Sequence, residues 1–453
     1  MRTKIKPMKL LRSFLPAISL CLASCAATQS APDLAQNTCW FRTADHADLE
    51  TVELGPGGVI AAVGSFAGQL DLGPGIPKLT APEGNRVFVT HVAPNGSTGW
   101  AKVIGNSGGA AAFAANGDLL VMAAATDPEG SHCLVQRLRA QDGAPLWRTQ
   151  LTIQGEKECR VLAVGPDDAL YISASWNGTL AIPGQSLKSV GPFDILLARM
   201  LASDGAITWL RTYGGSGNAI ARAIAIDPSG AVVIGGQFGG QFGDDGSVGT
   251  GNITIGESVL HSVGYFDGLL AKFSPNGDPI WARRFGDIGF DIAKSVVIDP
   301  GGDIFVSGAW MRPAIYQGGQ PFFGGTMDGL LMRWTAQGNP VWMKVFRADA
   351  SQAHHIARED DGTLAVTGHF GGTLDIGGPR LVGPAKSNIY FASFSPDGNA
   401  ISSQLIGAPG ANYGYGIASG QRKLVVAGLL NGRGEFCGKL RSATEGGFFG
   451  RLR

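Results

Sequence analysis

The sequence predicts an all-β fold, a single β-propeller of about seven four-stranded blades. Three observations predict it: a tryptophan recurs at a spacing of roughly 45 to 70 residues, the sequence around it repeats, and the two ends of the chain are complementary part-units. A period of this length is typical of stacked or radial β units. The recurring tryptophans are Trp40, Trp100, Trp147, Trp209, Trp281 and Trp342.

Each repeat contains four strand signals. Residues 223–234 form two apolar runs joined by Asp227-Pro228-Ser229-Gly230, and residues 295–306 repeat this pattern. Asp bonds to its own turn, Pro fixes φ and Gly accepts a positive φ, so each pair of runs is a hairpin. Residues 267–273 predict a third strand, and the tryptophan strand, which alternates apolar and basic residues, is the fourth. We therefore assign the tryptophans to packing, where each locks the last strand of its blade.

The two ends of the chain predict how the ring closes. The last unit ends at residues 447–453 before any tryptophan strand, and the first tryptophan strand, residues 38–42, follows no blade. If the N-terminal strand completes the C-terminal blade, the ring closes, leaves no exposed sheet edge and contains about seven blades. An open stack of sheets is the alternative, and it leaves both part-units incomplete. The sixth copy has Ser402-Ser403-Gln404 where the tryptophan is expected.

The repeated sequence resembles the bacterial β-propeller repeat known as the SBBP repeat. The best matches are Trp209 to Gly215, Ala223 to Gly236, Asp267 to Gly277 and Trp281 to Gly286. The resemblance spans nearly the whole chain after the leader and is closest in the fourth and fifth copies. Because that family is defined by its fold, the resemblance implies a propeller but no particular activity.

Composition limits the classes of partner. Lys plus Arg and Asp plus Glu both number 36, and this neutral balance argues against a nucleic-acid partner. Glycine, at 69 residues, has roughly twice its usual share, as turns and inter-strand loops require. The glycine run at 235–243 lacks the Lys-Ser/Thr ending of a phosphate loop. We expect a monomer that binds no nucleic acid.

The first residues predict export and lipidation. Residues 1–24 read as a lipoprotein signal peptide: a basic region is followed by an apolar run, residues 14–21, that is too short to span a membrane. Leu22-Ala23-Ser24-Cys25 resembles the bacterial lipobox, which implies cleavage before Cys25 and lipid on its sulfur. Residues 25–36 then form a lipidated tether, and residues 37–453 the propeller domain. An ordinary signal peptide with a chance cysteine is the alternative.

The predicted anchor also predicts a location. No Asp follows Cys25, and by resemblance to Gram-negative lipoproteins this favours the outer membrane. The sequence indicates neither the periplasmic nor the cell-surface side. We therefore expect the N-terminal lipid to attach the protein to the membrane.

Four further cysteines predict disulfides, because exported proteins retain them. They are Cys39, Cys133, Cys159 and Cys437. Four cysteines allow three pairings, and the closed ring favours Cys39 with Cys437 and Cys133 with Cys159, since the members of each pair then lie on adjoining elements. A zinc site is the alternative, but it lacks a Cys-x-x-Cys motif or clustered histidines.

Other candidate sites favour structural roles. His354 and His355 are adjacent in a predicted strand, where neighbouring side chains point to opposite faces, so they are not expected to share a metal. One repeat position is acidic or an amide in five copies, which fits either a calcium-binding ring or side chains that cap their own turns; recurrence and Asn substitution favour caps. Its occupants are Asn85, Asp194, Asp267, Asp328 and Asn388.

No catalytic motif is visible, and we expect no cofactor and no metal. The sequence therefore favours a non-catalytic, exported binding or scaffolding module of the cell envelope, whose partner is an envelope protein or an extracellular ligand. The predicted contact regions are Phe238–Ser262 and Trp310–Gln317, which depart from the repeat. The alternative is an outer-membrane assembly lipoprotein or a quinoprotein-like enzyme, because residues 142–147 and 204–209 resemble the tryptophan-docking sequence of that propeller group.

Overall fold

The computed structural model describes residues 39–127, 130–182, 185–242, 248–311, 327–406, 410–436 and 439–452. These residues are almost entirely β-strand, apart from one 3₁₀ turn at Pro56–Gly58. The predicted signal peptide and tether, and Cys25, lie outside the described residues. None of the described residues forms a helix with the length and apolarity that crossing a membrane requires.

Seven antiparallel sheets form the blades, each with four main strands; a hairpin from blade 3 extends the sheet of blade 2 to six strands. The first strand, β1 (Trp40–Asp45), belongs to the last blade. Blade 1 consists of β2 (Ala47–Leu54), β3 (Ile60–Leu70), β4 (Leu79–Val92) and β5 (Gly99–Gly105). Blade 2 consists of β6 (Ser107–Phe113), β7 (Leu119–Asp127), β8 (Gly130–Leu138) and β9 (Pro145–Gln154).

Blades 3 and 4 carry small hairpins between their second and third main strands. Blade 3 runs through β10 (Lys157–Val164), β11 (Ala169–Trp176), the hairpin β12 (Thr179–Ile182) and β13 (Gln185–Lys188), then β14 (Asp194–Leu201) and β15 (Ile207–Tyr213). Blade 4 runs through β16 (Asn218–Ile226), β17 (Val232–Gly239), the inserted β18 (Gln241–Phe242), β19 (Val248–Gly249), β20 (Asn252–Ile255) and β21 (Ser258–His261), then β22 (Phe266–Phe273) and β23 (Pro279–Phe285).

The remaining blades complete the ring. Blade 5 consists of β24 (Asp291–Ile298), β25 (Ile304–Met311), β26 (Met327–Trp334) and β27 (Pro340–Phe346). Blade 6 consists of β28 (Ala350–Arg358), β29 (Leu364–Gly371), the short β30 (Thr373–Leu374) and β31 (Leu381–Val382), then β32 (Asn388–Phe394) and β33 (Ala400–Ile406). Blade 7 consists of β34 (Tyr413–Gly420), β35 (Lys423–Phe436), β36 (Lys439–Arg451) and β1.

The ring closes as the sequence predicted. β1 pairs antiparallel with β36, in a register that runs from Trp40 opposite Arg451 to Asp45 opposite Gly446. Trp40 meets Phe449 edge to face, with ring centroids 5.9 Å apart. Strands from the two ends of the chain therefore share one sheet, and the predicted seven-bladed propeller is confirmed.

The six repeated tryptophans tie each blade to the next. Every indole N–H donates a hydrogen bond of 2.7–3.2 Å to a backbone carbonyl in the turn between the last two strands of the following blade. Trp281, for example, donates to the carbonyl of Ala336 and packs on Gly338, where a Cβ would lie 2.7 Å from the indole. Gly338 has φ +76°, so this turn requires glycine both for its backbone conformation and for the close approach of the ring.

This contact also explains the copy that lacks a tryptophan. Ser402 lies opposite Ser393, the register position that Trp281 holds opposite Lys272. A tryptophan there would need a turn between the last two strands of blade 7. In blade 7 those strands are β36 and β1, which come from opposite ends of the chain and are not joined by a turn.

The structure contains the Cys133–Cys159 disulfide that the sequence predicted, with Cα atoms 5.7 Å apart. Both cysteines are fully buried, and they join β8 of blade 2 to β10 of blade 3. The second predicted pair, Cys39 with Cys437, includes a residue outside the described ranges and stays a prediction. Phe41 and Phe436, each close in sequence to one of these cysteines, pack with centroids 4.1 Å apart.

Candidate ligand channel

The innermost strand of every blade contains a bulge at the same point. The pairing register between the first and second strands shifts there in all seven blades, which re-aims a side chain away from the ladder. We call these positions the bulge ring. In blade order they hold Glu50, the pair Gly108 and Gly109, Arg160, Arg222, Lys294, His354 and Tyr415.

The bulge ring surrounds a central channel. The seven innermost strands enclose a cavity of about 1130 Å³, and the bulge side chains from Glu50 to Tyr415 line it. Each innermost strand begins at the face that also carries the connections between the second and third strands, which we call the upper face. The bulge positions lie at or just before the midpoint of these strands, so the bulge ring lies near the middle of the channel.

Three consecutive blades place positive charge on one side of the channel. We call Arg160, Arg222 and Lys294 the cationic arc. Arg222 Nη1 forms an ion pair with Glu158 Oε2 at 2.8 Å, and Arg160 Nε lies 3.8 Å from the same oxygen. At that distance Arg160 Nε makes no hydrogen bond, and within the described residues this buried nitrogen has no other partner. The carboxylate of Glu158 therefore neutralises only part of the positive charge of the cationic arc.

Lys294 is the most perturbed member of the arc. Its Nζ donates to Gln352 Oε1 and lies 3.3 Å from His354 Nδ1, so its hydrogen-bond partners among the described residues are uncharged. Burial lowers the pKa of Lys294 to about 8, and the charge of Arg222 adds to the effect. Burial is also the main cause that lowers the pKa of Arg222. Positive charge is thus held in the channel wall at a cost in free energy.

The next blade contributes two neutral histidines. His354 Nε2 and His369 Nδ1 are 2.9 Å apart, so one ring donates a hydrogen bond to the other. Burial and the nearby Lys294 lower the pKa of His369 to about 3 and that of His354 well below its ordinary value. Tyr415 meets His354 edge to face, and Tyr413 meets His369 in the same way. His354 and Tyr415 line the channel, so this wall presents neutral rings to it.

The adjacent His355 has a different partner. Its Nδ1 lies 2.9 Å from the carbonyl oxygen of Ile417 on the next blade, and burial lowers its pKa to about 4. The structure therefore directs His354 and His355 to different neighbours. The expected strand alternation does not hold here, because His354 is the bulge residue and both histidines line the channel. Within the described ranges, no three His, Cys, Asp or Glu side chains lie close enough together to hold a metal ion.

Acidic side chains occupy the wall opposite the arc. Blade 1 contributes Asp48, Glu50 and Glu53, and in a seven-membered ring blade 1 lies across the channel from blades 4 and 5. Three residues beyond the bulge, the other blades present only small apolar side chains, namely Ala112, Ala163, Ala225, Val297, Ala357 and Ala418. Glu53 is the ionisable exception, and burial raises its pKa to about 8, so its carboxyl group is mostly protonated at neutral pH. The channel is therefore polarised, basic on one side and acidic on the other.

The predicted ring of acidic residues consists of turn caps where its contacts are described. Asp194 accepts hydrogen bonds from the backbone N–H groups of Val190 and Gly191, at 2.8 and 3.0 Å. Asp267 accepts from the backbone N–H groups of Val263 and Gly264 at the same offsets along the chain, and Asn388 Oδ1 accepts from Ala385 N at 3.1 Å. Asn85 is different, because it is exposed within the long strand β4.

Part of the first predicted contact region joins one blade to its neighbour, as similar hairpins in other blades do. Thr254, in the insertion between Phe238 and Ser262, donates its N–H to the carbonyl of Gly214 in the preceding blade. Asp375 in blade 6 pairs with Arg347 of blade 5 in the same way, and β12 of blade 3 pairs with β9 of blade 2. These hairpins therefore join neighbouring blades. Residues 243–247 and 312–326, which include most of the second predicted contact region, lie outside the described residues.

Comparisons with known proteins find structural similarity at low sequence identity. No family model matches the sequence, and no curated protein matches it significantly. A quinohemoprotein alcohol dehydrogenase from Pseudomonas putida is 10% identical with a TM-score of 0.39, over 90% of this chain and 76% of that one. A Synechocystis apocarotenoid oxygenase mutant is 11% identical with a TM-score of 0.40, over 88% and 90%. For a Pyrococcus horikoshii acylaminoacyl peptidase the values are 11% and 0.41, and this chain spans 52% of the peptidase.

Proposed function

We propose that this protein is a non-catalytic ligand-binding module of the bacterial cell envelope, an SBBP-type propeller that binds its ligand in the central channel. The observation that carries the proposal is the bulge ring, which concentrates ionisable side chains around a cavity of about 1130 Å³. Burial of charge is unfavourable unless the charges are paired, so a wall that served packing alone would be apolar. Apolar and small residues do line the channel three residues beyond the bulge.

The differences between blades support recognition over packing. The tryptophan and its partner glycine are the same in six interfaces, as a packing contact requires. The bulge position changes from blade to blade, from Glu50 to Arg222 to Tyr415. A wall with a different chemical group at each point around its circumference is suited to a ligand that has different groups on its different sides.

The state of the histidines supports binding over acid–base catalysis. A general acid or base is most effective when its pKa lies near the working pH. The pKa of His369 is about 3 and that of His354 is also well below its ordinary value, so both stay neutral at neutral pH. His354, which lines the channel, can contact a ligand with its ring, but neither histidine exchanges protons with a ligand at neutral pH.

Full-length protein purified from its own envelope in mild detergent would test this function by native mass spectrometry. The comparison is between wild type, Ala225→Phe, which narrows the channel, and the control Ala181→Phe on an exposed hairpin position. We expect wild type and the control to carry additional non-covalent mass that Ala225→Phe lacks. Absence of added mass in wild type, or its retention in Ala225→Phe, would refute the channel as the binding site. A redox cofactor with visible absorbance, or turnover of the bound molecule, would refute the non-catalytic reading.

The lipid anchor is proposed from the lipobox and is tested separately. Cys25→Ser removes the thiol that would carry the lipid, and Ser24→Ala is the matched control that keeps a small residue before the cysteine. We expect wild type and Ser24→Ala to sediment with membranes and Cys25→Ser to be released from them by salt or to remain uncleaved. If Cys25→Ser is cleaved to its mature form and still attaches to membranes as strongly as wild type does, lipidation is contradicted.

A further inference from the structure

We propose that the cationic arc is a specific anion-binding site, which takes a compact ligand bearing carboxylate, phosphate or sulfate oxygens. This inference rests on the proposed binding function and names the chemical class of the ligand. The arc is formed by equivalent positions of three consecutive blades, so Arg160, Arg222 and Lys294 approach one volume of the channel from three adjoining walls. Planar guanidinium groups and an ammonium together suit a polyoxygenated anion.

The charge balance of the arc favours an anion. Within the described residues, three positive side chains meet one carboxylate, that of Glu158. Glu158 is shared between Arg160 and Arg222, and the contacts of Lys294 are to neutral groups. The arc therefore has an excess of positive charge, which an anionic group in the channel would neutralise.

Unused hydrogen-bonding capacity points to the same place. Arg160 Nε is buried without a hydrogen-bond partner, and Gln237, which lines the channel and is 4% exposed, has a buried Oε1 without one. Gln237 lies on the strand next to that of Arg222, opposite Ile220, which is two residues before Arg222. Buried polar groups without partners are costly, and a ligand that supplies oxygen atoms and hydroxyl groups would satisfy both.

The opposite wall determines how the ligand lies. Asp48 and Glu50 repel a second anionic group on the blade 1 side of the channel. The neutral rings of His354 and Tyr415 stand between the two charged walls. The expected ligand therefore directs its anionic end to blades 3 to 5 and presents a neutral or cationic end to blade 1.

Isothermal titration calorimetry of full-length protein in detergent tests the site, with citrate and inorganic phosphate as probes, glucose as the uncharged control, and ionic strength held constant. We expect citrate to bind wild type. The Arg222→Gln substitution should weaken the affinity for citrate about ten- to a hundredfold, the equivalent of one charge-assisted hydrogen bond. Arg148→Gln, on an exposed outer-strand position, is the matched control and should bind as wild type does.

A second variant separates binding from folding. Glu158→Gln removes the carboxylate that competes for the arc, so we expect citrate to bind more tightly, whereas loss of a structural ion pair alone would not strengthen binding. No citrate or phosphate binding, or equal affinities in wild type, Arg222→Gln and Glu158→Gln, would refute the anion site. If Ala225→Phe still abolishes binding of the envelope ligand in that case, the channel function survives and only the ligand class is wrong.

Discussion

Replacement of Lys294 by methionine should stabilise the protein while it weakens the anion site. Burial lowers the pKa of Lys294 from 10.5 to about 8, which corresponds to a cost of about 3 kcal/mol for holding the charge at pH 7. Methionine keeps most of the apolar stem but loses the hydrogen bond to Gln352, about 1 kcal/mol. We therefore expect a net gain of about 2 kcal/mol, or a rise in Tm of about 2 °C for a chain of this length.

The pH dependence of this gain identifies its cause. Between pH 8 and 10.5 the unfolded chain binds a proton at Lys294 that the folded chain has released, so wild-type stability rises with pH across that window. Below pH 8 both states are protonated and the full cost is present. The facing groups Arg222, His354 and His369 do not change charge there, because the histidines titrate below neutral pH and arginine stays charged.

Thermal unfolding in buffers free of multivalent anions, from pH 7 to 10.5, is the assay. Lys294→Met should unfold at higher temperature than wild type at pH 7. The difference should fall above pH 8, reach zero at about pH 10 and reverse slightly by pH 10.5, where the lost hydrogen bond outweighs the remaining cost of the charge. Lys102→Met, at an exposed position of an outer strand, is the control and should change little. A Lys294→Met variant that is less stable than wild type at pH 7, or a difference independent of pH, would refute the reasoning.

Two predictions concern the framework. The double substitution Cys133→Ala and Cys159→Ala removes a disulfide between residues 26 apart in sequence, and chain entropy predicts a fall of about 3.5 kcal/mol in the free energy of unfolding. Denaturant unfolding should measure this fall, and reductant added to wild type should reproduce it. Equal stability of the double variant and wild type would contradict this. Gly338→Ala and Gly57→Ala both place a Cβ at positive φ, +76° and +72°, but only the first meets an indole, that of Trp281, whereas nothing lies within 4 Å of the second. Denaturant unfolding should show Gly338→Ala to be less stable than Gly57→Ala by about 1–3 kcal/mol, the cost of overpacking, and equal losses would show that the indole yields freely.

The architecture was predictable because its determinants are local and repeated. The Asp-Pro-Ser-Gly turn recurs closely in blade 5, and the strand that carries Trp281 has counterparts in most blades. Each specifies a hairpin or a packing contact within one or two blades. The pairing of β1 with β36 followed from the incomplete units at the two ends. The reason for the serine at position 402 was not predictable, because it depends on which strands of blade 7 are joined by a turn.

The channel was not predicted, because its residues share a position and not a residue type. Glu50, Arg222 and Tyr415 have no common chemistry, and the bulge that aligns them arises from pairing with the second strand. A weaker signal was present in the sequence. Residues 219–226 and 292–298 each contain a single charged residue, Arg222 or Lys294, in a mostly apolar strand. A lone charge in the innermost strand of a propeller indicates a lining position.

The most direct test of the account is a crystal structure of the full chain soaked in selenate, whose selenium identifies the bound anion by anomalous scattering. The account predicts one anomalous peak in the channel, within hydrogen-bonding distance of Arg160, Arg222 and Lys294, and its loss in crystals of Arg222→Gln. Selenate bound only on the outer surface, or a peak in the channel that persists unchanged in Arg222→Gln, would contradict it.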